Sequence, residues 1–241
     1  MKIAICLSGH TRNYKKNYPN YNFNPDVFIS TPWQSGLPEL TGLDYISYHS
    51  QEYTETTKID LADIVHKYNP KLYTISDDTS VINDLQPFNS YVTKHGAKLN
   101  QIGHMFYRMY ECNNLRKTYE SYQNLHYDYI IRSRFDVKIN DINFDPTKVF
   151  LWKQSDSVCD LFFAGNPTHV NRISDIYSWF IHQPPSFLAS FNNAEGILKH
   201  YIDLLDIESI IDNQFDISFT KDSPIQTTHI KYGEKITVYG E

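Results

Sequence analysis

The chain has little cysteine: Cys6, Cys112 and Cys159 are the only three in 241 residues. They are odd in number, far apart and set in apolar neighbourhoods. That pattern argues against a disulfide framework or a cysteine zinc site and implies buried free thiols in a reducing compartment. Long apolar runs are missing too. No segment approaches the roughly 20 residues that a membrane-spanning helix needs, so no transmembrane segment is expected. Met1-Lys2 followed by Ile3-Ala4-Ile5-Cys6-Leu7 is too short for a signal peptide before it runs into Ser8-Gly9, and a cytoplasmic location is the expectation. An excess of positive charge is also lacking. With 22 Lys and Arg against 28 Asp and Glu, the net charge of -6 gives no general electrostatic case for a nucleic-acid partner. Internal repeats and low-complexity tracts are absent.

What is present fits a folded chain. Apolar residues make up 41% and charged residues 21%, and the length suits one substantial core. The expectation is one domain over 1–241, with 208–241 a tail that packs back on it. Tyrosine is abundant, at 19 residues, alongside 14 phenylalanines. Such rings pack on one side and offer a hydroxyl on the other, in cores, in protein contacts or against sugars.

The most informative stretch is Tyr127 to Ile139, YDYIIRSRFDVKI. Tyr129, Ile130 and Ile131 open it as a buried strand, and Arg132, Arg134 and Asp136 follow at alternate positions. Residues two apart in a strand share a face, so the three charges are expected on one side with Ser133, Phe135 and Val137 on the other. Two readings follow: an ion-paired strand end that satisfies itself, or a site for an anionic ligand at the carboxyl end of a parallel strand.

Around that stretch the pattern alternates. Ile3 to Leu7 reads as a first strand, left through the small-residue loop Ser8-Gly9-His10-Thr11-Arg12, which is either a plain turn or a backbone cradle for phosphate. Asp26 to Ser30 is a second strand, and residues 34 to 56 read as loop, with a short strand at Tyr45 to Tyr48. Leu61, Ile64, Val65 and Tyr68 mark a helix capped by Asp60 and stopped by Pro70. Lys71 to Ile75 is a third strand, Asp77-Asp78 either a pair of metal ligands or, the preferred reading, a solvated turn, and 79 to 99 irregular. Ile102, Met105, Met109, Cys112, Leu115, Tyr119 and Tyr122 form the stripe of a long helix over 100–124, with Arg116 and Glu120 on its solvent face. Val149 to Trp152 and Asp160 to Ala164 are further strands. Asn166-Pro167 starts a helix carrying Val170, Ile173, Tyr177 and Phe180, and Asn193 caps the last clear one. Asp160 opens an apolar strand and is either a water-facing end or a group aimed into a cleft. Glu195 lies in a first helical turn, where the helix dipole alone explains an acid. His229, in a tail of short β-like runs, is either structural or a ligand folding back to a metal.

The whole pattern is α/β, a mixed, mostly parallel sheet flanked by helices. The pieces IAICLSGHTRNY (3–14), DVFIST followed by Trp33, MFYRMYECNNLRKTYE (105–120), YDYIIRSRFDV (127–137) and DLFFAGNPTHV (160–170) resemble, in order, a family of small bacterial and viral GT-A-like glycosyltransferases associated with surface polysaccharide synthesis. The resemblance covers about 1–200. Its most specific parts are the Ser-Gly-x-x-Arg loop and the Arg-x-Arg-x-Asp strand. It implies a GT-A-like (Rossmann-like) fold and transfer of a sugar from a nucleotide-sugar donor to a glycan hydroxyl acceptor, with Mn²⁺ or Mg²⁺ on the diphosphate. Carried over by position, Ser8, Gly9 and Arg12 match the nucleotide-binding loop. Arg134 with Asp136 matches the place where such enzymes carry Asp-x-Asp, but here only one acid stands there. Either Asp136 holds the cation with phosphates and waters completing its shell, with His229 as a further ligand, or the arginines neutralise the diphosphate themselves. Arg12, Arg132 and Arg134 are the expected donor-binding cations, Asp160 the first and Glu195 the second choice for the base that deprotonates the acceptor. A nucleotidyltransferase is disfavoured because the first loop has no lysine before Lys15. A non-catalytic glycan-binding protein using the tyrosines remains the reading from another class.

Overall fold

Six strands make the main sheet. In the computed structural model Ile3–Ser8 (β1), Asp26–Pro32 (β2), Leu72–Ser76 (β3) and Tyr129–Ser133 (β4) lie parallel in the order β3-β2-β1-β4. Val137–Ile142 (β5) leaves this sheet. Val149–Gln154 (β6) and Ser157–Gly165 (β7) pair as a hairpin whose second strand joins β4 antiparallel, completing the order β3-β2-β1-β4-β7-β6. The central strands read as unbroken apolar runs because both of their faces are covered. The structure describes residues 1–10, 21, 23–32, 61–76, 81–142, 144–154 and 157–207, and the backbone of 215–220, 226–231 and 234–239.

The helices are Leu61–Tyr68 (α1), Ile82–Leu85 (α2, continued by a 3-10 turn at Gln86–Phe88), Leu99–Gln123 (α3), Pro167–Ser174 (α4), Ile176–Phe180 (α5), Pro185–Leu188 (α6) and Ala194–Leu204 (α7). Ala4, Cys6, Phe28, Ile130 and Phe163 point to a layer containing α3, α4, α5 and α7. Ile5, Leu7, Ile29, Tyr129, Ile131 and Phe162 point to the opposite side, where Ile64 and Tyr68 of α1 meet them. The caps follow from residue chemistry. Asn124 takes the left-handed conformation that ends α3 (φ 48°), Asn166 accepts from the His169 N–H at 3.0 Å, and Asn193 accepts from the Gly196 N–H at 2.9 Å.

Four local expectations are corrected. The strand read over Tyr127 to Ile139 is two strands. β4 ends at Ser133, the Val137 N–H closes a turn onto the Arg134 carbonyl at 3.3 Å, and β5 starts in a different sheet. Arg116 and Glu120 do not form a solvent face, since Arg116 is 0% exposed and is held by Glu120, Asn113 and Asn171. The segment 79 to 99 contains α2 and its 3-10 turn. The helix from Pro167 breaks at Asp175, whose N–H bonds back to the Asn171 and Arg172 carbonyls.

The second sheet has the order β10-β9-β8-β5, with Phe215–Thr220 (β8), Gln226–Lys231 (β9) and Glu234–Tyr239 (β10) antiparallel throughout. The C-terminal strands therefore build on the strand that directly follows Asp136. Among the described residues no helix is long and apolar enough to cross a membrane.

Candidate functional site

Strand order reverses between β1 and β4: β2 and β3 follow to one side of β1, and β4 starts the other side. Open α/β sheets bind ligands outside the carboxyl ends of the strands at such a point. The two most specific sequence pieces end there, because Leu7 is registered against Ser133 and Cys6 against Arg132.

Side-chain direction then sorts the charges. Ser8 and Arg132 alternate with Leu7 and Ile131, so both face the α3 layer. Asp160 sits between Cys159 and Leu161, which pack on the other side, so it faces the α3 layer as well. Arg132 Nε donates to Ser8 Oγ at 3.1 Å, and its guanidinium carbon stands 5.8 Å from the centre of the Phe163 ring. The residue is 1% exposed. Among the described residues, neither Nη1 nor Nη2 has a hydrogen-bond partner. Burial lowers its pKa to about 10, with Asp160 opposing and Arg134 adding to the shift. It is still a full cation at neutral pH.

Arg134 is held differently. Its Nε donates to Asp136 Oδ1 at 2.9 Å and its Nη2 to Asp136 Oδ2, a bidentate fork, while Nη1 lies 3.7 Å from Asp160 Oδ2. In an extended strand, residues two apart lie about 6.6 Å apart along the chain. It is the turn at 134–136 that lets these two side chains close on each other. Burial works against the Arg134 charge, but the two carboxylates outweigh it and raise its pKa. Asp136 and Asp160 are 5% and 6% exposed.

Glu195 joins this group from above β7. Asn193 caps α7 and sets Glu195 in its first turn, within electrostatic reach of Asp160 and Arg134. Burial raises the Glu195 carboxyl to about 6, the Asp160 charge adds to the rise, and its own backbone N–H and Arg134 oppose it.

The structure thus brings together six of the residues singled out from sequence: Ser8, Arg132, Arg134, Asp136, Asp160 and Glu195. Gly9 stands beside them in an unexpected role. Its N–H is spent on the Ser30 carbonyl at 3.0 Å rather than left for a ligand, and what the glycine supplies is a φ of +102° that turns the chain off β1. Arg12 lies outside the described residues, as do Asp60, Asp77-Asp78 and Tyr45 to Tyr48. His229 is registered in β9 against Ser218 and Ile236, with its side chain outside the description.

One group escaped sequence reasoning. Glu111 on α3 accepts from Ser30 Oγ, from the Tyr107 hydroxyl at 2.9 Å and from Arg108 Nη1 at 3.0 Å, fixing α3 to the carboxyl end of β2. The signal was an acid three residues after an arginine on one helix face.

The donor set fits a divalent cation poorly. Both oxygens of Asp136 are taken by Arg134, so a cation must first break that fork. Among the described residues no three His, Cys, Asp or Glu side chains cluster as a metal site.

No protein-family model matches the chain, and no curated protein does. Solved structures similar to it include mouse xyloside xylosyltransferase 1 in its apo form, with 9% identity, 85% of this chain and 82% of that one covered, and a TM-score of 0.38. Another is a nucleoside-diphosphate-sugar pyrophosphorylase from Vibrio cholerae RC9, with 11% identity, 92% and 96% coverage, and a TM-score of 0.35.

Proposed function

We infer that the chain is a glycosyltransferase of GT-A-like type, moving a sugar from a nucleotide-sugar donor to a glycan hydroxyl. The reading is carried by one observation. At the point where strand order reverses, a buried arginine anchored by Ser8 stands beside an arginine clasped by Asp136 and Asp160, with Glu195 close by.

The chemistry needs that combination. As the bond from the anomeric carbon to the phosphate oxygen breaks, its electron pair stays on the diphosphate, and guanidinium charge stabilises it. The acceptor oxygen bonds to the anomeric carbon and its proton passes to a carboxylate. A base works best when its pKa lies near the working pH. Glu195, raised to about 6, meets that condition, and Asp160 stands 3.7 Å from the Arg134 guanidinium as its ion-pair partner. Glu195 therefore takes the role of proton acceptor, and Asp160 holds Arg134 in position, which reverses the order of preference drawn from sequence.

The test is a panel of nucleotide-sugars incubated with the chain, with release of nucleoside diphosphate measured with and without oligosaccharide acceptors. At least one donor is expected to be hydrolysed slowly alone and faster with an acceptor. A chain that binds free glycans but no UDP, GDP, CDP or ADP conjugate is a glycan-binding module instead.

A further inference from the structure

The guanidinium of Arg132 poses an energetic problem that the described residues leave open. An isolated buried cation costs several kcal/mol unless its donors are met. One hydrogen bond to a neutral serine and one aromatic face do not meet that need, and Nη1 and Nη2 have no partner among the described residues. The acids nearby do not close the gap by contact. Asp136 gives both of its oxygens to Arg134, and among the described residues the ion pair of Asp160 is also with Arg134.

We propose that this chain binds the diphosphate of its donor through the Nη edge of Arg132, independently of a divalent cation. The inference rests on the nucleotide-sugar reading above and adds to it how the phosphates are held. Three observations support it. The positive charge is already in place, on a strand at the centre of the sheet where Ser8 fixes its orientation. The carboxylate that would recruit a cation is locked in a bidentate fork with Arg134. Two parallel N–H groups match two phosphate oxygens, a geometry that a lysine or a single carboxylate-bound ion does not reproduce. Because Arg132 is 1% exposed, the anion reaches it only as a neighbouring side chain shifts.

The experiment is calorimetric titration of the full chain with UDP, GDP, CDP and ADP, each in excess EDTA and again in Mn²⁺. At least one nucleoside diphosphate is expected to bind in EDTA with an affinity within about threefold of its Mn²⁺ value. Arg132→Met is expected to weaken that binding about 30-fold or more, the range for removing one partner of a buried charge pair. Ser8→Ala, which keeps the charge but frees Nε, is expected to weaken it less, and it serves in place of Arg132→Met should that variant melt at room temperature. Binding that requires Mn²⁺ overturns the proposal while leaving the transferase reading intact. Wild-type affinity in both variants overturns it as well. If no nucleoside diphosphate binds in either buffer, the transferase reading fails and the proposal falls with it.

Discussion

Two arginines, Arg116 on α3 and Arg132 on β4, are both almost wholly buried, and the chain treats them in opposite ways. Arg116 belongs to the end where β4 begins. Its Nε and Nη2 donate to Asn113 Oδ1 at 3.2 and 3.0 Å, Nη2 also reaches Asn171, and Nη1 pairs with Glu120. Glu120 in turn accepts from the Tyr127 N–H at 3.0 Å, tying α3 to the start of β4. Arg132, at the other end of β4, has one serine and two donors without a partner among the described residues. A charge with a partner at each of its three nitrogens holds the fold together. One left short at the carboxyl end of a parallel strand is a cost to the fold that a ligand can offset.

The largest expected change in stability lies on the Arg116 side. Arg116→Met leaves the Glu120 carboxylate and the oxygens of Asn113 and Asn171 without their donor. Urea unfolding is expected to show a loss of about 3–5 kcal/mol, the cost of breaking a buried pair from one side. A loss under about 1 kcal/mol would remove the contrast at its strong end. Arg132→Met is the opposite experiment. Deleting an under-satisfied charge while keeping apolar volume is expected to leave stability unchanged or raise it by about 1 kcal/mol or more. A loss above about 2 kcal/mol would mean that residues outside the described set satisfy the guanidinium, and the two arginines would then be alike.

The contrast also shows what could be read from the chain. The strands at 3–7, 26–30, 129–131, 149–152 and 160–164 were legible because fully buried strands carry unbroken apolar runs. The helix starts at Asn166-Pro167 and Asn193 were legible because caps have their own chemistry. Arg116 was misread for a physical reason: an Arg and a Glu four apart look the same on a solvent face as in a buried network, and only the neighbour Asn171, 55 positions on, tells them apart. The break after Ser133 was hidden because alternation continues through Arg134, Phe135 and Asp136 while the backbone turns. Asp160 and Glu195 are legible in the sequence only as acids that head their elements, not as neighbours of Arg134. Their electrostatic coupling depends on α7 lying over β7, which no local pattern encodes.

A middle-sized effect separates the two ends by pH. The folded-state pKa of Glu195, about 6, stands above its ordinary 4.5, so the folded chain binds more protons than the unfolded one between those values. Its contribution to stability is therefore most favourable below about pH 4.5 and falls as pH rises to 6, after which the deficit is constant. Glu195→Gln is expected to match wild type near pH 4 and exceed it at pH 8 by about 2 kcal/mol, from roughly 1.5 pKa units at 1.36 kcal/mol each. Turnover should follow the reverse course. The wild-type rate falls below pH 6 as the base is protonated, and Glu195→Gln lowers it about 10²–10⁴-fold with that acidic limb lost. A stability difference that does not vary with pH would place Glu195 in water and outside the charge cluster.

The smallest effect tests whether helix α7 carries the site or only covers the sheet. Asn193→Ala removes the side-chain acceptor for the Gly196 N–H, which costs about 1 kcal/mol at an ordinary N-cap. The same loss is expected at Asn166, which caps α4 through the His169 N–H but carries none of the cluster residues in its first turn. The two substitutions should therefore match in unfolding free energy and differ in turnover. Asn193→Ala loosens the turn that holds Glu195 near Asp160, so the acidic limb of its rate profile should move down from pH 6 toward the ordinary carboxylate range, and Asn166→Ala should leave the limb in place. Equal rate profiles for both would mean that β7 and the Arg134 fork define the reactive centre without α7.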